Sequence, residues 1–144
     1  MINIFIQTAL VCISLNIYHE ARSQSVIGQL AVGQTVLNRV RDRRFPSSVC
    51  EVVKQGPSYR TGLKMPVRHK CQFSWWCDGK SDQIKDKHAW SIATALGKEL
   101  LEGHYMDLFN GITHYHALSV IPAWAAQKTF IVRIDDHLFY RWER

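Results

Sequence analysis

The sequence has little of what marks an unusual class of protein. Only four of its 144 residues are cysteine: Cys12, Cys50, Cys71 and Cys77. That is too few for a disulfide scaffold of this length. No CxxC pair occurs among them, which excludes the ordinary zinc-ribbon pattern. No internal repeat and no linker rich in glycine, serine or proline divides the chain, so a single domain spanning residues 1–144 is expected. Met1 to Tyr18 carries no charged side chain. No lysine or arginine precedes that apolar run and no small-residue cleavage site closes it, so it does not read as a signal peptide. Asn3, Gln7, Thr8, Ser14 and Asn16 interrupt it, which argues against stable membrane insertion. A helix buried on most sides fits better. The expectation is a protein made in the cytoplasm without an export signal of its own.

Acidic residues are also scarce, 12 against 18 lysines and arginines, for a formal charge of +6. A basic surface favours polyanionic partners such as nucleic acid, anionic lipid or anionic wall polymer, without choosing among them. The remainder is ordinary. Hydrophobic residues make up 47% and charged residues 21%, which excludes collagen-like and disordered chains and leaves a globular protein.

Helical spacing predicts a first helix from near Ile4 to near Ala21. A second runs from near Ser25, a suitable N-cap, to Arg41. A short helix passes through Val49, Val52 and Val53. Gln55 to His69 reads as loop, broken by Gly56-Pro57, Gly62 and Pro66. Phe73-Ser74-Trp75-Trp76 suits a short extended segment ending at Asp78-Gly79. A fourth helix runs from near Lys87 to Glu102 and stops at Gly103. Thr113 to Ala117 reads as a strand. Thr129 to Ile134 and Leu138 to Trp142 read as a hairpin about Asp135-Asp136. The fold class is therefore α+β, mainly helical, with a small antiparallel sheet toward the C-terminus.

Four groups of residues could carry chemistry. Glu20 closes an otherwise apolar first helix and shares a face with Asn16. Burial and the negative helix end both disfavour its anion, which suits a carboxyl that must hold and then deliver a proton. The alternative is a solvent ion pair with Arg22 or Arg39. Cys71 to Gly79 packs aromatics among hydrogen-bonding groups, as a sugar ring would require, or else covers the core. Alternation puts His114 and His116 on one strand face and Tyr115 on the other. With His137 and His19 they could form a zinc site, although no HExxH helix accompanies them. Arg39-Val40-Arg41-Asp42-Arg43-Arg44 is the densest basic stretch. Its charges offset a helix C-terminus, so it reads as a solvated helix end. It lacks the interleaved aromatics of a nucleic-acid platform. Cys12 reads as buried and inert, and the bonding of Cys50, Cys71 and Cys77 is left open.

Several ordered stretches resemble the SleB-type cell-wall hydrolases, the spore-cortex-lytic enzymes with phage and proteobacterial relatives. They are Asn16 to Arg22 (NIYHEAR), Gly28 to Arg41 (GQLAVGQTVLNRVR), Arg44 to Val53 (RFPSSVCEVV) and Cys71 to Gly79 (CQFSWWCDG). Thr113 to Ala117 (THYHA), Pro122-Ala123-Trp124 and His137 to Arg141 (HLFYR) complete the set.

The resemblance implies a lysozyme- or lytic-transglycosylase-like domain, and an endolysin-like member is expected. The implied activity is cleavage of the β-1,4 bond between N-acetylmuramic acid and N-acetylglucosamine in peptidoglycan. Glu20 falls on the family's catalytic glutamate. Gln72, Ser74, Trp75, Asp78, His116, His137 and Tyr140 are the candidate substrate contacts, and Asp78 is the candidate second carboxylate if water is the acceptor. Lytic transglycosylation is the expected mode, in cell lysis. It would proceed as a monomer acting on glycan strands after release to the wall, without a cofactor, a nucleic-acid partner or a wall-binding domain.

Two departures from the family pattern stand out. Ser23-Gln24 replaces the usual Gly-Glu after Arg22, and Asp135-Asp136 stands where a glycine is usual. The competing classes are a zinc amidase or peptidase using His114, His116 and His137, and a non-catalytic glycan-binding module.

Overall fold

The computed structural model describes residues 8–59 and 65–144. Helices α1 (Ala9–Ala21), α2 (Val26–Val40), α3 (Val49–Val53) and α4 (Lys87–Leu101) precede strands β1 (His114–Ala117), β2 (Thr129–Ile134) and β3 (His137–Arg141). Each helix starts where a short polar side chain accepts an otherwise orphaned N–H: Thr8 from Val11, Ser25 from Gly28, Ser48 from Glu51 and Asp86 from Ala89. The expected start of the first helix near Ile4 falls outside the described residues. Among the described residues, no helix is long and apolar enough to cross a membrane.

Helix α1 is the central post, packed by α2, α3 and α4. Ile13 and Ile17 are fully buried on it, and truncating either to alanine would cost about 2–5 kcal/mol. Two glycines let the neighbouring helices close in. A Cβ on Gly97 of α4 would meet the Ser14 hydroxyl at 2.9 Å, and one on Gly33 of α2 would run into Leu100 and Ile17. The Cys12–Cys50 disulfide fastens α1 to α3. Cys12 is therefore buried, as its apolar context predicts, but bonded rather than inert.

The sheet has strand order β1-β3-β2, antiparallel throughout, with β3 in the middle. Phe139 and Ile112 fill a second core with Ala21, Ala31 and Val32 of the helices. This core presses β1 and β3 against the C-terminal end of α1.

The hairpin tip is tied down by the two sequence departures, which meet in space. Asp135 adopts the left-handed conformation (φ 51°), tolerated by aspartate better than by most residues. Its carboxylate accepts the Ser25 N–H at 2.9 Å and the Ser25 hydroxyl at 2.6 Å. Asp136 N–H donates to Gln24 Oε1 at 3.1 Å, and Gln24 Nε2 donates back to Asp136 Oδ2 at 3.3 Å.

Two local expectations are corrected. Ser74–Cys77 forms a 3-10 turn rather than an extended segment, because the Cys71–Cys77 disulfide closes the loop and Trp75 is drawn inside. Arg39 is not a solvated helix end: only 4% of it is exposed, and its Nε donates to the Thr113 carbonyl at 2.7 Å.

Candidate active site

Glu20 sits in the last turn of α1 at the bottom of a cleft of about 390 Å³. Arg39 of α2 and Tyr115 of β1 share the floor with it. Gln72, Phe73 and Ser74, held by the disulfide-closed turn, form one wall. His116, Val120, Pro122 and Trp124 form the other, with His137 at the edge. Among the described residues that line the cleft, Glu20 is the only carboxylate.

The electrostatics of the floor follow from burial. Removal from water pushes the Glu20 pKa up to about 7, against the smaller downward pull of the Tyr115 hydroxyl and the Arg39 charge. Burial lowers Arg39 to about 10, so it stays cationic at neutral pH. Its guanidinium lies 4.8 Å from the Phe45 ring centre and 5.1 Å from that of Phe73, which compensates part of its desolvation. Burial also raises Tyr115 well above the usual phenol range, with the Glu20 charge adding to it. Tyr115 thus remains a neutral hydroxyl.

That hydroxyl lies beside Glu20 and Asn16 yet completes no well-formed hydrogen bond. Asn16 Nδ2, Arg39 Nη1 and His137 Nδ1 are likewise buried and unpaired. Protein interiors pair nearly all such groups. Three of these atoms, on Arg39, Tyr115 and His137, belong to residues that line the Glu20 cleft.

His116, which lines the cleft, is held at both ring nitrogens. Its Nδ1–H donates to the Ala117 carbonyl at 2.8 Å, which leaves Nε2 to accept from the Tyr140 hydroxyl at 2.9 Å in the neutral ring. The Tyr140 ring stacks behind it with centres 5.3 Å apart.

The structure sorts the predicted contacts. It brings Glu20, Gln72, Ser74, His116 and His137 into one cleft. Trp75 does not line it: Trp75 is buried, donates from its indole N–H to Asn16 Oδ1 at 2.8 Å and stacks on His19. Asp78 does not line it either, since its carboxylate accepts the Lys80 N–H at 2.8 Å in the following turn. Tyr140 supports His116 from behind. The proposed zinc cluster does not form. Register pairs His114 with Tyr140 and His116 with Leu138, while His137 pairs with Ala117 on the Tyr115 face. His114 packs beside Trp124 and Phe45, with its pKa lowered to about 3 by burial and then by the Arg39 charge. Among the described residues no group of three His, Cys, Asp or Glu could hold a metal ion.

Arg39, Phe73, Tyr115, Val120, Pro122 and Trp124 were not predicted as contacts. A signal for Arg39 was present: it follows Val32, Thr35 and Val36 at helical spacing on one buried stripe of α2.

Comparison with known proteins gives a consistent picture. A family model described as Cell Wall Hydrolase matches residues 23–140, beginning three residues after Glu20. Two solved structures share the fold. The catalytic domain of the germination-specific lytic transglycosylase SleB from Bacillus anthracis aligns at 21% identity with a TM-score of 0.68, over 98% of this chain and 100% of that one. The catalytic domain of the Bacillus cereus SleB protein aligns at 20% identity with a TM-score of 0.64, over 98% of this chain and 95% of that one. No curated protein matches.

Proposed function

The chain belongs to the cell wall hydrolase family, and on that premise we propose that it cleaves the β-1,4 bond between N-acetylmuramic acid and N-acetylglucosamine as a lytic transglycosylase, with Glu20 as general acid and then base. The observation that carries this reading is the lone cleft carboxyl with its pKa near 7. At neutral pH much of it is protonated and able to donate to the glycosidic oxygen. As the bond breaks, the oxygen leaves with that proton and an oxocarbenium-like centre forms at the anomeric carbon. The Glu20 carboxylate, next to cationic Arg39, then takes the proton from the muramic acid 6-hydroxyl. The freed oxygen closes on the anomeric carbon, giving a 1,6-anhydro ring and restoring protonated Glu20.

Hydrolysis would ordinarily use a second carboxyl group to activate water or to form a glycosyl intermediate, and Asp78 is committed to its own turn. The cleft-lining donors of Tyr115 and Arg39 suit the sugar's oxygens and acetamido carbonyl. Trp124, Val120 and Pro122 offer apolar surface to its C–H face. The Cys12–Cys50 and Cys71–Cys77 disulfides support work in an oxidising compartment, where the wall lies.

Digestion of purified peptidoglycan followed by mass spectrometry tests the proposal. Anhydro-muramic ends are the expected products. Reducing muramic ends would replace transglycosylation by hydrolysis, and freed peptide stems would replace the glycosidase by an amidase.

A further inference from the structure

A second, separate site lies beyond the C-terminal end of α2. Two adjoining hollows of about 440 and 380 Å³ share Arg41, Asp42, Arg44 and Arg144, and neither shares a lining residue with the Glu20 cleft. Arg43 lines the smaller hollow and Arg141 the larger. The acids of this region are already matched. Arg44 grips Asp42 through Nε and Nη2 at 3.0 and 2.7 Å, with its guanidinium 3.7 Å from the Trp142 ring centre. Arg141 holds the Glu143 carboxylate. Arg41 and Arg43 remain exposed, and neither side chain has a hydrogen bond or ion pair among the described residues.

We propose that this arginine patch is a second wall-binding site that takes the carboxylates of peptidoglycan peptide stems. The choice of carboxylate follows from the patch itself. Arg44 engages the Asp42 carboxylate through Nε and Nη2 at once, the geometry a planar guanidinium offers a carboxylate. Arg41 and Arg43 present the same fork to solvent, and the unmatched charge draws an anionic polymer toward it. Holding a stem there would keep the enzyme on an insoluble substrate between cuts. The inference rests on the proposed peptidoglycan reading, but it concerns binding away from the catalytic cleft.

The test measures binding of full-length protein and of R41Q/R43Q to insoluble sacculi stripped of phosphate polymers. R41E/R43E serves as a second variant, and thermal melts verify folding. R41Q/R43Q is expected to bind about tenfold more weakly at roughly 50 mM salt, R41E/R43E more weakly still, and the gap should close near 300 mM salt, where charges are screened. Amidating the stem carboxylates should erase the parent's advantage. R41Q/R43Q should cleave short soluble glycans without stems at the parental rate. Equal binding by parent and variants, no effect of amidation, or arginine-dependent preference for duplex DNA over sacculi would each overturn the proposal. If the parent cleaves no glycan yet binds sacculi through these arginines, the proposed function fails and this site stands.

Discussion

The indole N–H of Trp75 donates to the side-chain oxygen of Asn16 at 2.8 Å, and Asn16 lies one helical turn before Glu20. A tryptophan in a sugar-friendly sequence thus braces α1 from within. W75F keeps an aromatic ring but leaves the buried Asn16 oxygen without a donor, at a cost of about 1–3 kcal/mol, to which the smaller ring adds a cavity cost. Thermal unfolding should show a drop of several degrees, while KM for soluble glycans stays near the parental value. A large rise in KM with unchanged melting would return Trp75 to the substrate.

Glu20→Gln should lower the rate of muropeptide release by about 10²–10⁴ while binding to sacculi persists. The same variant has a stability signature. The folded pKa of about 7 lies above the ordinary 4.5, so the native state holds this proton more tightly than the unfolded chain does. Stability falls as pH rises from about 4.5 to about 7, and the full penalty, roughly 3 kcal/mol at most, applies above that. E20Q should therefore melt higher than the parent at pH 8 and no higher at pH 4.5. Equal melting differences at both pH values would contradict a raised Glu20 pKa.

The rate on soluble glycans should decline above pH 7, approaching a tenfold loss per pH unit as the acid form empties. Arg39 pulls the Glu20 pKa down, so R39Q should move that alkaline limb to higher pH, whereas R39K should hold it nearer the parental position. R39Q also strands the Thr113 carbonyl that Arg39 now satisfies, and melting should fall by an amount typical of a lost buried charge-assisted hydrogen bond. An unmoved limb in a folded R39Q would separate Arg39 from the proton chemistry.

The Cys71–Cys77 disulfide brackets Gln72 and Ser74 of the cleft wall. Its short loop gives about 2 kcal/mol in the chain-entropy picture, against about 4 kcal/mol for the longer Cys12–Cys50 loop. C71S/C77S should accordingly lose activity out of proportion to its modest loss of melting temperature. C12S/C50S should do the reverse, losing stability first. Activity assays on folded protein alongside calorimetry separate the two.

The local signals in the chain were readable where one element decides the outcome. Ser25, Gly103 and Asp135-Asp136 mark a helix start, a helix stop and a hairpin turn, and each structure lies where those residues put it. Glu20 stood out as a lone acid on an apolar helix, and its pKa moved in the direction burial dictates. The Ser74–Cys77 turn was missed because its shape depends on a covalent bond and on an indole pulled toward Asn16, a partner 59 residues away. Arg39 was misplaced because charge alone suggests solvent. Its burial depends on the Thr113 carbonyl and two aromatic rings supplied by other segments.

The sequence by itself determined the helices, the antiparallel hairpin and the placing of one acid, Glu20, at the end of an apolar helix. Periodicity, capping groups and turn residues act over a few neighbours and need no further context. Only the tertiary structure decided what surrounds that acid: Arg39 and Tyr115 on the floor, Trp75 behind it, and His116 and His137 brought to the same cleft from opposite sheet faces. Those outcomes depend on strand register and helix packing, which are settled by burial summed over the whole chain.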